Sequence, residues 1–217
     1  MSVEMKKCKN RESWLKNRTK YLGGSDAACI LGLNPYKSNL DLYREKIGLV
    51  APPDLSDNAA VVYGTCAEPH IRELFALDHL GEYKVSYVEN NTWHNDKYPF
   101  AAASLDGWLL DNQNRNGIWE CKTAIISNKA HAELWNNRIP DNYYCQILHY
   151  FMVTEFDFAV LRARLRYEYP GNKFYTERDY YIERSECEED IATLIEKEAA
   201  FYEQLKKKQE PPRILSI

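Results

Sequence analysis

The stretch SLDGWLLDNQNRNGIWECKTA, residues 104–124, places two acids and a lysine within otherwise apolar segments. Charged side chains are uncommon inside apolar strands because their desolvation is costly. The polar, turn-rich segment 112–117 predicts a hairpin, which would bring Asp106 beside Glu120. Alternate side chains of a strand share a face, so Glu120 and Lys122 should point to the same side. Two carboxylates and an ammonium group are therefore expected to converge.

Such a cluster suits the chemistry of a divalent cation. Two carboxylates a few ångströms apart repel each other, unless one takes up a proton or a cation sits between them. Hard oxygen ligands favour Mg²⁺ or Mn²⁺, with positions left open for water and phosphate. A protonated lysine can hold an attacking water or offset charge that builds on a phosphate. The pattern D-(x13)-E-x-K fits phosphodiester hydrolysis; taken alone, it fits an exposed hairpin with an ordinary Glu–Lys pair equally well.

The rest of the chain predicts an α/β (α+β) fold in which helices flank a central mixed β-sheet. Apolar periodicity predicts helices at residues 11–20, 25–31, 39–48, 59 to about 80, and 141–154. Alternating patterns predict strands at residues 83–90, 100–110, 118–124, 158–169 and 173–182. A last helix is expected from Ser185, with Glu188 in the capping-box position.

We expect a single domain over residues 1–217. Its parts would be a helical N-terminal part at about 1–81, the sheet with the acidic cluster and its flanking helices at about 82–182, and a C-terminal helix at about 185–209. The loop at residues 50–58 is interpreted as joining two helices of that domain.

Composition narrows the class of protein. With 45% hydrophobic and 13% aromatic residues, the chain can bury a substantial core. No apolar run approaches the ~20 residues that cross a bilayer. The first residues lack the apolar stretch of a signal peptide, so we expect a cytoplasmic protein with no membrane partner. The six cysteines are dispersed without a C-x-x-C pair, which favours free thiols over a zinc or iron–sulfur site.

The charge is unevenly distributed along the chain. The formal net charge of −4 does not by itself indicate a nucleic-acid-binding protein. Residues 1–20, however, contain seven Lys or Arg residues against two Glu. A local basic surface is therefore compatible with an acidic total.

Several stretches, in this order, resemble the motifs of one family. They are Arg18 with YLGGSDAACILGLNPY (21–36), GTCAEPHIRELF (64–75), AAASLDGWLL (101–110), IWECKTA (118–124) and NYYCQILHYFMV (142–153). The chain resembles the PD-(D/E)XK nucleases and, within them, the YqaJ-like viral recombinase family typified by the phage lambda exonuclease. The resemblance covers roughly residues 11–160 and implies a restriction-endonuclease-like PD-(D/E)XK core.

The resemblance implies a metal site and a catalytic lysine. Asp106, Glu120 and the backbone carbonyl of Cys121 would bind Mg²⁺, for which Mn²⁺ can substitute, and Lys122 would be catalytic. Glu68 matches the family's acid on the preceding helix, which serves a second metal or its water shell.

The residues themselves leave the role of Glu68 open. Glu68 could instead form an ordinary i,i+4 pair with Arg72. Pro69 denies the helix one hydrogen bond, and a kink there could aim Glu68 at the sheet.

The resemblance also implies a pocket for the 5′-phosphate of the degraded strand. Its residues would be Arg18, Ser25, Ser104 and Gln146, with Tyr143 beside Gln146. A guanidinium group, hydroxyls and an amide are suitable donors to phosphate. Ser25 could equally be the N-cap of the next helix. In the 141–154 helix, Gln146 lies off the expected core stripe of Tyr144, Ile147, Leu148 and Phe151, which favours a substrate-facing position.

The implied activity is a Mg²⁺-dependent 5′→3′ exonuclease on linear duplex DNA, resecting one strand for phage-type recombination by single-strand annealing. Family members form ring-shaped trimers, so a homotrimer is expected, together with a phage annealing protein as partner, in the cytoplasm of a bacterial host. One alternative is a repair or CRISPR-adaptation nuclease of the same superfamily. Many of these carry a cysteine-ligated iron–sulfur cluster, which is not expected here because no matching C-terminal cysteine set is present. The other alternative, a catalytically dead DNA-end-binding module, is opposed by the intact Asp106, Glu120 and Lys122.

Two further patterns are less specific. Arg162, Arg164 and Arg166 alternate with apolar residues, and they could line a DNA groove or form the solvated face of a strand, the latter being favoured. The histidines show no metal-ligand spacing and are interpreted as surface or packing residues: His70, His79, His94, His131 and His149.

Overall fold

A five-stranded mixed sheet forms the centre of the computed structural model, which describes residues 2–169 and 172–214. Its strands lie in the order β2 (Tyr83–Ser86), β4 (Gly107–Asp111), β5 (Asn116–Ile126), β6 (Phe158–Tyr169) and β7 (Asn172–Glu183). Strands β5 and β6 are parallel, and the other neighbouring pairs of this sheet are antiparallel. The predicted mixed sheet is confirmed.

Helices accompany these strands throughout the described part of the chain. They are α1 (Arg11–Arg18), α2 (Gly24–Leu31), α3 (Asn39–Lys46), α4 (Ala59–Asp78), α5 (Lys129–Glu133), α6 (Asp141–Thr154) and α7 (Glu188–Lys207). Side chains of Asn10, Ser38 and Asn58 accept hydrogen bonds from the first turns of α1, α3 and α4, which fixes where these helices begin. Within the described residues, no helix is both long and apolar enough to cross a membrane.

Two predicted segments fold differently. The N-terminal third is not wholly helical, because β1 (Val3–Lys7) pairs antiparallel with β3 (Asn91–Asn95) in a separate two-stranded sheet. The strand predicted at 100–110 begins only at Gly107, as β4. Ahead of it, Ala101 and Ala103 form isolated bridges to Leu22 and Trp93. Both differences come from pairing between segments that are distant in the chain, which a local pattern does not reveal.

The last helix also begins later than expected. Residues Arg184–Glu186 form a 3₁₀ turn, and α7 begins at Glu188, so the predicted capping box of Ser185 and Glu188 is wrong. The Glu188 carboxylate instead accepts a hydrogen bond from the Arg184 side chain at 2.9 Å. Three acids in the first turn of α7 suit the positive end of its dipole without a side-chain cap.

The two faces of the sheet pack against different helices. On one face, Trp119 and Cys121 of β5 pack with Ile71 and Phe75 of α4. Ile118, one position earlier in β5, belongs to the larger cluster that α6 and α7 complete. The strand therefore alternates as predicted, and Glu120 lies on the α6 side of the sheet.

The arginines of β6 form only in part the solvated face that the sequence favoured, because Arg162 is buried whereas Arg164 and Arg166 are partly exposed. Arg162 is buried and binds Asp78 and Asp179, each at 2.6 Å. Arg164 is paired with Glu177 and Arg166 with Glu168. The end of α4 supplies Asp78 to Arg162, so this arginine serves an internal ion pair. Arg164 and Arg166 line a cavity near the start of α4.

A fully buried ion pair joins α6 to α7. The imidazole Nδ1 of His149 lies 2.8 Å from Glu198 Oε1, and its Nε2 lies 3.1 Å from the carbonyl oxygen of Ala102. When Glu198 is ionised, both partners are acceptors, and the ring satisfies both contacts as an imidazolium that donates twice. Burial alone would lower the pKa of His149, but the Glu198 carboxylate and the Ala102 carbonyl raise it. His149 is thus a packing residue, as interpreted from the sequence, that also carries charge.

Glu198→Gln is expected to destabilise the protein by about 3 kcal/mol near pH 6, because it leaves a buried imidazolium without its counter-charge. A raised folded-state pKa stabilises fully below the unfolded pKa of about 6.5 and loses that contribution as pH rises through the folded value. The difference from wild type should therefore shrink as the pH is raised from 6 towards 9. Urea unfolding at several pH values measures it. Glu196→Gln, on the exposed side of α7, is the matched control; equal losses in both variants would contradict a special role for the pair.

Candidate metal and phosphate site

The hairpin of β4 and β5 brings the predicted acids together. Gly107 pairs with Trp119, so Asp106, just before β4, lies beside the Glu120–Cys121 segment of β5. The carboxylate of Asp106 accepts a hydrogen bond from the backbone amide of Cys121 at 3.0 Å. The Cys121 backbone is therefore next to Asp106, while its thiol is buried in the cluster on the α4 side.

Glu120 is the most enclosed acid of the group, with 1% of its surface exposed. Its Oε1 accepts hydrogen bonds from Lys122 Nζ at 2.5 Å and from Gln146 Nε2 at 2.8 Å. Its Oε2 is buried and has no hydrogen-bond partner among the described residues. Burial, and then repulsion from Asp106, raise the pKa of Glu120 to about 8.

Lys122 lies between these acids and an aromatic ring. Its ammonium group is 5.0 Å from the centre of the Tyr143 ring. Burial alone would lower the pKa of Lys122, but the carboxylates of Glu120 and Asp106 raise it above its usual range. The side chain is therefore a fixed positive charge at neutral pH.

Glu68 reaches the same cluster from α4. Glu68 forms the predicted i,i+4 pair with Arg72 at 3.0 Å. It is also close enough to Asp106 to be repelled by its carboxylate. Burial, and then that repulsion, raise the pKa of Glu68 to about 7. Arg72 Nη1 also donates to the carbonyl oxygen of Asp106 at 2.6 Å. Arg72 thus ties α4 to the residue that opens β4, a role the sequence did not reveal.

The donor set fits a divalent cation. Three carboxylates lie close together in a partly buried site, and the pKa values of two of them, Glu68 and Glu120, are raised. Within residues 2–169 and 172–214, the buried Oε2 of Glu120 has no hydrogen-bond partner. A hard cation would relieve both the repulsion and the missing contact. As they stand, no three acidic, histidine or cysteine side chains of the described chain are arranged to hold a metal ion. Glu68 is held by Arg72, and Glu120 by Lys122 and Gln146.

A narrow cavity adjoins this cluster and contains part of the predicted phosphate pocket. Arg18 and Ser104 line it together with Gly23, Gly24 and Tyr150. The guanidinium group of Arg18 stacks 4.6 Å from the centre of the Trp14 ring, and the indole of Trp14 donates to Ser104 Oγ at 3.1 Å. Trp14, which the sequence did not single out, therefore orients both residues.

Ser25 does not line this cavity and does not cap α2. The N-cap of α2 is Gly23, whose amide donates to the Asp26 side chain at 3.0 Å, so the alternative of Ser25 as the cap is wrong. Ser25 is exposed in the first turn of α2, one residue after the cavity wall at Gly24.

Gln146 connects the cavity to the acids. Its Nε2 contacts both Glu120 and the hydroxyl of Tyr150, the latter at 2.6 Å. A β-carbon on Gly24 would lie 2.6 Å from Tyr150 Cε1 and 2.9 Å from Gln146 Cγ, so only glycine lets α2 approach so closely.

Of the predicted core stripe, Tyr144 is only half-buried and donates to Asp190. Tyr143 packs on Trp135 and faces Lys122.

Comparison with known proteins agrees with this architecture. The protein YqaJ of Bacillus subtilis (strain 168) is 30% identical over 165 residues, which is 76% of this chain and 48% of that protein. The chain thus spans about half the length of this curated relative. The alkaline exonuclease LHK-Exo from Laribacter hongkongensis superposes with a TM-score of 0.60 at 20% identity, over 91% of this chain and 93% of that one. Its complex with dAMP gives the same values.

A phage-related exonuclease from Haemophilus somnus 129PT superposes with a TM-score of 0.54 at 13% identity, over 87% of this chain and 96% of that one. At such identities, these similarities establish the fold, which is the PD-(D/E)XK fold of phage-type exonucleases. The family model of the YqaJ-like viral recombinase domain matches residues 13–157, a span that contains every predicted site residue. This chain therefore belongs to the YqaJ-like viral recombinase domain family.

Proposed function

We propose that this protein is a metal-dependent nuclease that degrades linear duplex DNA from its 5′ ends. The observation that carries the proposal is the cluster of Glu68, Asp106 and Glu120 around Lys122, in which the buried Oε2 of Glu120 has no hydrogen-bond partner among the described residues. A structural ion pair would not need two further acids that raise the pKa of its carboxylate. Clusters of titratable groups with perturbed pKa values are typical of catalytic sites.

We propose that Asp106, Glu120 and the Cys121 carbonyl hold Mg²⁺, or Mn²⁺ in its place, with Glu68 serving a second ion or its water shell. When bound, the cation would supply Lewis-acid polarisation of the phosphodiester and a water of lowered pKa. Phosphodiester hydrolysis then needs a positioned water and compensation for the charge on the phosphate.

Lys122 supplies that compensation in our proposal. Its raised pKa keeps it protonated, so it donates to the attacking water or to a phosphate oxygen and does not act as a base. Gln146 holds Glu120 through a hydrogen bond, and Tyr143 covers the ammonium group. The lysine charge is thereby fixed in place before substrate arrives, which avoids reorganisation during the reaction.

The 5′ polarity is supported by the cavity of Arg18 and Ser104. It adjoins the acidic cluster through Tyr150 and Gln146, so a terminal phosphate held there would leave the next phosphodiester near Glu120. We propose that two residues just outside the cavity lining contact the bound phosphate: Gln146, which donates to Tyr150 in the cavity wall, and Ser25, which follows Gly24 of that wall. We also propose that Tyr143 contacts the DNA. The solved complex of the Laribacter hongkongensis exonuclease with dAMP is in keeping with nucleoside monophosphates as products.

Arg18→Ala is expected to remove a preference for 5′-phosphorylated ends. The wild type should degrade phosphorylated duplex ends about tenfold faster than hydroxyl ends, because hydrogen bonds to a charged group contribute about 1.5–3 kcal/mol. The variant should treat both ends alike and lose some salt-dependent binding. Initial rates on the two substrates at fixed ionic strength measure the effect.

Arg11→Ala is the matched control for this test. Arg11 lies on the same helix and 5.9 Å from the same Trp14 ring, but it does not line the cavity. A wild type indifferent to the 5′ group, or an equal loss in both variants, would refute the pocket.

In its biological setting, we propose that the enzyme exposes 3′-ended strands at double-strand ends for recombination by single-strand annealing. We also propose a homotrimer that works with a phage annealing protein in the cytoplasm of a bacterial host, with the gene in a phage or prophage. Membership of the YqaJ-like viral recombinase domain family supports this setting. Sedimentation of the purified protein would test the trimer.

A further inference from the structure

An open groove lies between β1, the end of α1 and the segment from His94 to Ala101. Exposed lysines line it from β1, from α1 and from the residues that follow each: Lys6, Lys7, Lys9, Lys16 and Lys20. These are most of the cations that the sequence concentrates in residues 1–20. We call this feature the lysine groove.

The lysines of this groove have few internal partners. Lys6 is 3.0 Å from Glu4 on the same strand. Asp96, the acid in the lining, accepts hydrogen bonds from the amide and hydroxyl of Ser2. Four lysines form no ion pair with any residue of ranges 2–169 and 172–214: Lys7, Lys9, Lys16 and Lys20.

Cations elsewhere in the chain are commonly held by carboxylates. Arg162 has two acidic partners, and Lys37 and Lys46 each have one. Positive charge that no internal acid neutralises is therefore concentrated at the lysine groove, although the chain as a whole is acidic. A polyanion that releases counterions on binding is the ligand this arrangement favours.

The groove adjoins the phosphate cavity, and none of the three clustered acids lines the groove. Tyr21 lines both the cavity and the groove. Tyr150, which lines the cavity but not the groove, contacts Gln146, and Gln146 contacts Glu120. The order along the surface is therefore acidic cluster, phosphate cavity and lysine groove.

This order decides which strand of DNA reaches the groove. With its 5′-phosphate in the cavity and its first phosphodiester near Glu120, the degraded strand runs away from the groove. Degradation leaves the complementary strand unpaired, and that strand extends past the 5′ terminus on the groove side. Tyr21 and His94, whose ring centres are 4.9 Å apart at the groove, add aromatic surface for its bases.

We propose that the lysine groove binds the sugar–phosphate backbone of the single-stranded 3′ overhang. This inference rests on the proposed function, because the overhang is what 5′→3′ degradation leaves behind. Binding the overhang would retain the enzyme on partly resected ends and favour them over blunt ends.

The test compares two quadruple variants of equal net charge. The groove variant carries Gln at positions 7, 9, 16 and 20. The control variant carries Gln in place of exposed lysines that do not line the groove: Lys84, Lys129, Lys197 and Lys207. Fluorescence anisotropy in EDTA measures binding to a blunt duplex and to the same duplex with a 3′ overhang of about 12 nucleotides, within the span of common single-strand sites.

Wild type and control are expected to bind the overhang duplex about tenfold more tightly than the blunt one, and the groove variant is expected to bind both alike. The salt slope on the overhang should fall by about 3 in the groove variant, at about 0.7 for each phosphate contact. Lys16→Gln alone should lower it by about 0.7, which keeps the test valid if the quadruple variant misfolds.

Two results would overturn the proposal that the lysine groove binds the overhang. One is equal affinity of the wild type for the two duplexes, and the other is an equal loss of affinity for the overhang duplex in the groove and control variants. Because binding is measured without a metal, it is separable from cleavage. A protein that cuts blunt ends but ignores the overhang would refute the groove alone. A protein with a lysine-dependent overhang preference and no cleavage would refute the nuclease and keep the groove as a single-strand site.

Discussion

Lys122→Ala is expected to lower the rate of DNA cleavage by about 100-fold or more while DNA binding and metal binding stay close to wild type. The reason is electrostatic: Lys122 is held against Glu120 and beneath Tyr143, so its charge is in place when negative charge builds on the phosphate. Removing one preorganised group of this kind typically costs about 100- to 1000-fold in turnover. Single-turnover rates on a blunt, 5′-phosphorylated duplex give the effect on chemistry.

Lys84→Ala is the matched control, because Lys84 is an exposed lysine of the same sheet, on β2. Anisotropy with the same duplex separates lost chemistry from lost binding. A Lys122→Ala protein that cleaves at near-normal rates would show that this lysine is only the partner of a buried acid. The proposed catalytic assignment would then fail.

Asp106→Asn and Glu120→Gln are expected to reduce metal-dependent cleavage to background. Each substitution keeps the shape of the side chain, and the Gln carbonyl can still accept from Lys122 and Gln146, so the fold should persist. Each removes one of the proposed anionic ligands, and Oε2 of Glu120 has no hydrogen-bond partner in the described part of the chain. Substituting a residue that only hydrogen-bonds to a metal ligand typically lowers metal affinity by about 10- to 100-fold. Loss of a ligand itself should lower metal affinity by at least as much.

Isothermal titration with Mg²⁺ and with Mn²⁺ measures the metal affinity of each variant. Glu73→Gln, an exposed acid on α4 near Glu68 in sequence, is the matched control. Titration curves of Asp106→Asn and Glu120→Gln that coincide with wild type would remove both residues from the metal site, whatever happens to activity.

The central part of the fold could be predicted because its signals are local. Alternation in IWECKTA fixed the faces of β5, and the polar segment before it fixed the hairpin that joins Asp106 to Glu120. The pairing of β1 with β3 could not be predicted, because its partners lie far apart in the chain and each is short. The strand predicted at 100–110 was wrong over residues 101–103 for the same reason, since these residues form bridges to Leu22 and Trp93.

Charges were harder to interpret than apolar residues. Alternating arginines in β6 look the same in sequence whether water or acids face them, and the acids that bind Arg162 come from α4 and β7. The contact between His149 and Glu198 could not be predicted from the sequence, because the two residues lie on different helices. The spacing of Asp106, Glu120 and Lys122 predicted that they converge, and the family resemblance added Glu68. The contact of Arg72 with the Asp106 carbonyl and that of Trp14 with Ser104 became evident only from the structure.

The most direct test of the central claim uses wild-type protein, one linear duplex labelled at either its 5′ or its 3′ ends, and a covalently closed circle of the same DNA. With Mg²⁺, a 5′→3′ exonuclease built on the Asp106–Glu120–Lys122 cluster should release the 5′ label first, as a mononucleotide. It should leave the circle intact, and EDTA should stop all release. Release of the 3′ label first, cutting of the circle, or cleavage that continues in EDTA would contradict the account.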